Sequence, residues 1–153
     1  MSYSVRLATV SDTETLVRFT IAEAGDAEGA EIGANVRVGV LTALEDNAYA
    51  TYWVLEDDGV VVGSVSVVKE WSDWNAGYYW WIQSMFIEPA HRGKGLIKLL
   101  LETVRRVAAD ANALELRLYV HKDNSAAIRA YMKNGFGPSD YQIMTMKVAE
   151  RAR

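Results

Sequence analysis

Cysteine is absent from this 153-residue chain. That excludes a disulfide framework, a thiolate metal site and a thiol nucleophile, and it fits a reducing compartment. No apolar run approaches the roughly 20 residues that a membrane-spanning helix needs. The opening MSYSVRLATV has no apolar core of the kind a secretory signal carries. The expectation is a cytoplasmic protein with no membrane partner. Internal repeats, linkers and low-complexity tracts are missing as well. No basic stripe with interleaved aromatics occurs, which argues against nucleic acid as a partner. Neither GxxxxGK[ST] nor GxGxxG is matched, so nucleotide hydrolysis and dinucleotide binding are disfavoured. The two histidines, His91 and His121, have no partner at ligand spacing, so no metal is expected.

What is present is globular: half the residues are apolar and 24% are charged. A chain of this length forms one domain, 1–153, able to bury roughly 70% of its unfolded surface. The net charge of −4 conceals an asymmetry. Residues 1–60 hold eleven acids against three bases, and residues 61–153 hold nine acids against thirteen bases. An acidic half beside a basic half suits a cationic small molecule meeting an anionic one, although segregated solvated faces look the same in a sequence.

Alternation predicts a first strand over 3–8, and Ser11-Asp12-Thr13-Glu14 reads as a capping box opening a helix through about Ala24. AGDAEGAEIG breaks that helix, and helical spacing resumes with Val36, Val40, Leu41 and Leu44. YATYWVLE and VVVGSVSVVKE then form a hairpin across Asp57-Asp58-Gly59. The loop WSDWNAG leads into a strand over 78–87, which Pro89 closes. A helix over 93 to about 111, a strand over 114–120 and a helix capped by Asn124 and ended by Gly135 follow. YQIMTMKV, 141–148, is expected as a last strand. The order implies an α+β fold: a mixed central sheet flanked by helices, with a right-handed βαβ unit that makes the strands at 78–87 and 114–120 parallel.

HRGKGLIKLL sets two glycines and several basic groups before a leucine-rich helix. Gly93 and Gly95 let backbone N–H groups approach an anion at the positive end of a helix, with Arg92, Lys94 and Lys98 adding charge. An ordinary glycine-rich loop is the alternative.

IQSMFIEPAHRGKGL followed by LRLYVHKDNSAAIRAYMKNGF resembles the acetyl-CoA-binding core of the GNAT acetyltransferase superfamily over about residues 79–136. Arg92, Gly95, Asn124, Tyr131, Gly135 and Phe136 stand in the family's order and spacing; where its signature ends in Gly or Ala, this chain has Ile97. The resemblance implies a GNAT-like fold and acetyl-CoA as cosubstrate. It implies a strand at 78–87 that splays from 114–120, with the backbone of Met85, Phe86 and Ile87 pairing with pantetheine. Arg92, Gly93, Lys94, Gly95, Leu96 and Ile97 would hold the diphosphate, and Asn124 and Tyr131 complete the cofactor set. Met85 N–H would polarise the thioester carbonyl, and Tyr131 would protonate the leaving thiolate. Gln83 stands where many relatives place a carboxylate, and orients a water or the acceptor unless it is only a polar group of the sheet. Glu23, Asp26, Glu28 and Glu31 belong to the segment that covers the acceptor in that family.

Strand alternation places Trp81, Gln83 and Met85 on one face and Trp80, Ile82 and Ser84 on the other. Trp71, Asp73 and Trp81 are candidates for an acceptor wall, with a homodimer contact as the alternative use of the exposed tryptophans. The resulting reading is an N-acetyltransferase transferring an acetyl group directly to an amine of a small molecule or peptide. Its rivals are a silent acyl-CoA-binding module and a cofactor-free interaction domain built on the tryptophans.

Overall fold

The computed structural model describes residues 2–28 and 34–149, the side chains of 26–28 excepted. The chain divides into two compact units, Met1–Tyr119 and Val120–Arg153. The first holds β1 (Tyr3–Leu7), α1 (Thr13–Glu28), α2 (Asn35–Glu45), β2 (Thr51–Asp57), β3 (Val60–Ser72), β4 (Gly77–Ile87), α3 (Leu96–Asp110) and β5 (Glu115–Leu118). The second holds α4 (Ser125–Lys133).

The sheet runs in the order β1-β2-β3-β4-β5, antiparallel until β5, which lies parallel to β4. The expected mixed sheet and βαβ unit are therefore present. The β2–β3 hairpin closes with Asp58 and Gly59 at positive φ, 50° and 86°, the backbone that matches the twist of paired strands. Central β3 is buried from Val62 to Val67, so both of its faces are covered. On one face α1 and α2 bury Leu16, Phe19 and Val40 against Val54 and Phe86, with Phe19 and Phe86 stacked at 4.8 Å. On the other lie Trp53, Leu55, Val65, Val67 and Ile82, all buried. α3 buries Leu96, Leu100, Leu101, Val104 and Ala108 at helical spacing and packs on β1, β4 and β5.

Three expectations are corrected. The N-terminal capping contact is made by Thr9 and Asp12, not Ser11 and Glu14: Thr9 N–H donates to Asp12 Oδ2 at 2.8 Å. Asp12 also takes two hydrogen bonds from Arg6, at 2.9 and 3.0 Å, which fix it beneath the sheet edge, while Glu14 pairs with Arg37 of α2. AGDAEGAEIG does not break α1 at Ala24; the helix runs on to Glu28, because a single glycine in a helix costs only about 1 kcal/mol relative to alanine. Residues 141–148 form no strand, and Tyr141, Ile143, Met144, Met146 and Val148 are exposed. Alternation marks a segment fit for a ladder but supplies no partner for it.

The Arg6–Asp12 pair carries a stability prediction. Hydrogen bonding from Arg6 holds the buried Asp12 carboxyl below the usual carboxylate range. A depressed carboxyl stabilises the fold above its unfolded pKa of about 3.9, and that contribution is lost as pH falls through the folded value. Asp12→Ala is expected to lower unfolding free energy at pH 7 by about 1–3 kcal/mol, discounted because Arg6 is partly exposed. Denaturant titrations should also show a shallower acid limb for the variant below about pH 4.

Candidate active site

The site begins with one extra residue in a strand. Ser66 of β3 pairs with Ser84, and Val67 pairs with Ile82, leaving Gln83 as a β-bulge in β4. A bulge inserts one residue and so reverses the side-chain alternation beyond it. This overturns the expected faces: Trp80, Ile82, Met85 and Ile87 share one face, and Trp81, Ser84 and Phe86 share the other. Lys69 over the Trp80 ring and Trp81 bonded to Glu70 are cross-strand contacts that follow this register. Trp81 and Met85 are therefore separated by the sheet, and Gln83 is exposed between them.

The bulge coincides with the place where β4 loses its neighbour. The parallel ladder with β5 runs from Tyr79–Glu115 to Ile82–Leu118 and ends there. From Gln83 to Ile87, β4 continues without β5, and this opens the slot that a peptide-like ligand could fill as an added strand. Met85 N–H is not spent on the sheet: it donates to Oε2 of Glu23, on α1, at 2.7 Å. Ile87 C=O accepts from Arg92 Nε at 2.8 Å, and the Arg92 guanidinium lies over the Phe86 ring. Phe86 is a core residue as well as a slot residue.

Beside the bulge is a part-buried pair of hydroxyls that sequence reasoning did not single out. Ser66 and Ser84 are hydrogen-bonded at 2.6 Å, and Tyr52 of β2 stands opposite Ser66 in the sheet register. Burial is the main force raising the Tyr52 phenol above its ordinary range, and the charge of Glu23 pushes the same way. The visible signal was Gln83-Ser84, a polar pair interrupting an apolar strand.

The glycine turn has the conformation its composition suggested. Gly93 and Gly95 lie at φ 78° and 75°, with open space where a Cβ would stand. Gly95 caps α3, and among the described residues no side-chain cap bond is made there, so the first-turn amides suit an outside acceptor. Arg92 and Lys94 flank the turn, Leu96 anchors it in the core, and Ile97 is half-buried. Left-handed glycines, an uncapped helix start and basic neighbours fit a diphosphate, and the open edge of β4 fits pantetheine.

Trp71 and Trp81, grouped as an acceptor wall from the sequence, fall on opposite faces of the sheet. Trp71 meets Tyr78 edge-on at 5.1 Å. Trp81 stacks on Tyr119 at 4.5 Å and donates to Glu70, while Arg117 lies over Tyr79. Asp73 is exposed in the β3–β4 turn. Glu31 and the side chains of Asp26 and Glu28 lie outside the described residues.

In the second unit Asn124 caps α4, accepting from Ala127 N–H at 3.2 Å. Gly135, at φ 99°, follows the C-cap, and Tyr131 packs edge-on against Phe136 at 5.8 Å. Among the described residues no cluster of three or more His, Asp and Glu is placed to hold a metal, and no helix is long and apolar enough to cross a membrane.

The model of the Acetyltransferase (GNAT) family matches residues 18–136, a span that includes the bulge, the glycine turn and α4. The chain belongs to this family. It is similar to a possible acetyltransferase from Clostridium difficile 630 over 98% of this chain and 100% of that one, with 29% identity and a TM-score of 0.91. A predicted acetyltransferase from Clostridium acetobutylicum, solved with acetyl-CoA, shares the fold at a TM-score of 0.77 and 21% identity over 95% of this chain and 96% of that one. Spermidine N(1)-acetyltransferase of Thermoplasma acidophilum is 36% identical over 56 residues, 37% of this chain and 35% of the relative. The chain spans less than half the length of the curated relatives it matches.

Gly95→Val forces a β-branched side chain into left-handed backbone, at a cost of roughly 1–2 kcal/mol. The folded variant is expected to lose at least tenfold in affinity for CoA by calorimetry, whereas Lys98→Ala, one turn into α3, should change it only about two- to threefold.

Proposed function

We propose that the protein is an acetyl-CoA-dependent N-acetyltransferase acting on a primary amine of a small molecule or peptide. The observation that carries this reading is the conjunction, in one unit, of a slot opened by the Gln83 bulge and an anion nest at the head of α3. Those two features are the separate requirements of a ligand that is peptide-like at one end and a diphosphate at the other. Membership of the acetyltransferase family and the solved neighbour with acetyl-CoA support the same cosubstrate.

Amides at the start of α3 would hold the diphosphate, with the helix dipole and the Arg92 and Lys94 charges assisting. The open edge of β4 would orient pantetheine, and Met85 N–H would donate to the acyl oxygen as negative charge develops there. The cosubstrate supplies an acyl carbon already bonded to a good leaving group. As the amine nitrogen bonds to that carbon, the carbon–sulfur bond breaks and its electron pair leaves with sulfur. The thiolate is then protonated, and the attacking nitrogen gives up a proton. On the family resemblance Tyr131 is the donor to sulfur: a phenol of ordinary pKa about 10 remains protonated at neutral pH. The chain has no cysteine to carry the acetyl group, which is consistent with direct transfer. Gln83 is neutral and takes no proton, so its part is to orient water or acceptor at the bulge.

The acidic N-terminal portion supports a cationic acceptor, as does the spermidine relative. Thiol release from acetyl-CoA across a panel of amines tests the reading. Turnover with cationic primary amines is the expected result, and binding of acetyl-CoA without release of thiol by any amine would make the protein a binding module. In the active enzyme Tyr131→Phe should lower kcat by about 10²-fold while leaving CoA affinity within a few-fold.

A further inference from the structure

The amide hydrogen that the proposed transfer needs is already engaged. Glu23 Oε2 sits 2.7 Å from Met85 N, where a charged acceptor makes a bond about twice as strong as a neutral one. A single N–H cannot serve a carboxylate at that distance and an acyl oxygen together. Glu23 is also not free to wander. Phe19, one turn earlier on the same helix face, is buried and stacked on Phe86, the residue next to Met85. The helix backbone is thereby fixed against β4, and only the Glu23 side chain can yield.

We propose that Glu23 is the placeholder for the acyl oxygen: its carboxylate fills the Met85 donor in the absence of an acyl group, is displaced by the thioester carbonyl, and then binds the ammonium group of the acceptor. The inference rests on the acetyltransferase reading and deepens it by naming the residue that couples the two substrates. A carboxylate displaced from that N–H but tethered to α1 stays within a few ångströms of the acyl carbon, where the amine must arrive. Its negative charge is partly buried near Tyr52, whose phenol already feels it, and it attracts a cation entering there. The acceptor site thus gains its charge only after acetyl-CoA is seated. After transfer, CoA has no carbonyl to hold the donor, and Glu23 returns to it.

The test compares two ligands that differ only at the acyl group. Calorimetry without amine is expected to show Glu23→Ala binding acetyl-CoA about tenfold more tightly than the parent protein, with CoA affinity unchanged, since only the acyl oxygen competes with the carboxylate. Glu23→Gln keeps an oxygen acceptor without the charge and should fall between. In steady state, Glu23→Ala should raise KM for spermidine at saturating acetyl-CoA by more than it changes kcat. Thermal melts of both variants verify folding, and alanine is a good helix residue at this position. If Glu23→Ala tightens both ligands equally, or neither, the placeholder role is wrong while the acetyltransferase reading stands. If the parent protein binds neither ligand, the acetyltransferase reading fails first, and the inference falls with it.

Discussion

The candidate site is arranged around one backbone N–H. Met85 can offer its amide to something other than a neighbouring strand because β4 carries an extra residue at Gln83 and parts from β5 after Ile82. Everything that surrounds that donor is arranged by ordinary packing. Phe86 and Phe19 pin α1 to β4, the buried stripe of α3 holds the glycine turn against the sheet, and Arg92 ties the exit of β4 to that turn through the Ile87 carbonyl. The core that makes the fold stable is also the jig that positions the donor and the anion nest.

The cost of such an arrangement is polar surface inside the sheet, and the chain meets it with local partners. Ser66 and Ser84 satisfy each other, and Glu23 takes the Met85 amide. Among the described residues no buried side-chain polar atom is left without a partner. A ligand that takes the Met85 amide must therefore exchange one hydrogen bond for another.

The element order, the parallel β4–β5 pair and the glycine turn were legible in the sequence because each rests on a local rule. Left-handed backbone calls for glycine at 93 and 95, alternation marks the strands, and parallel strands need a crossover long enough to hold a helix. The bulge was not legible. A period-two reading assumes an uninterrupted ladder, so it placed Trp81 with Met85, whereas one inserted residue put them on opposite faces. The bonds of Asp12 to Arg6 and of Glu23 to Met85 were equally hidden, since each joins elements whose packing no local pattern reports. Segment 141–148 failed in the opposite direction, its alternation being clear but without a ladder.

The central claim is that Met85 N–H is the acyl-oxygen donor of this site. Amide-detected NMR of the parent protein, titrated first with CoA and then with acetyl-CoA, tests it directly. The account predicts that CoA shifts the amides of the glycine turn, the first turn of α3 and the open edge of β4, and that acetyl-CoA adds a further shift of the Met85 amide together with the Glu23 carboxylate carbon. A Met85 resonance indifferent to the acetyl group, with the turn amides saturated, would contradict it.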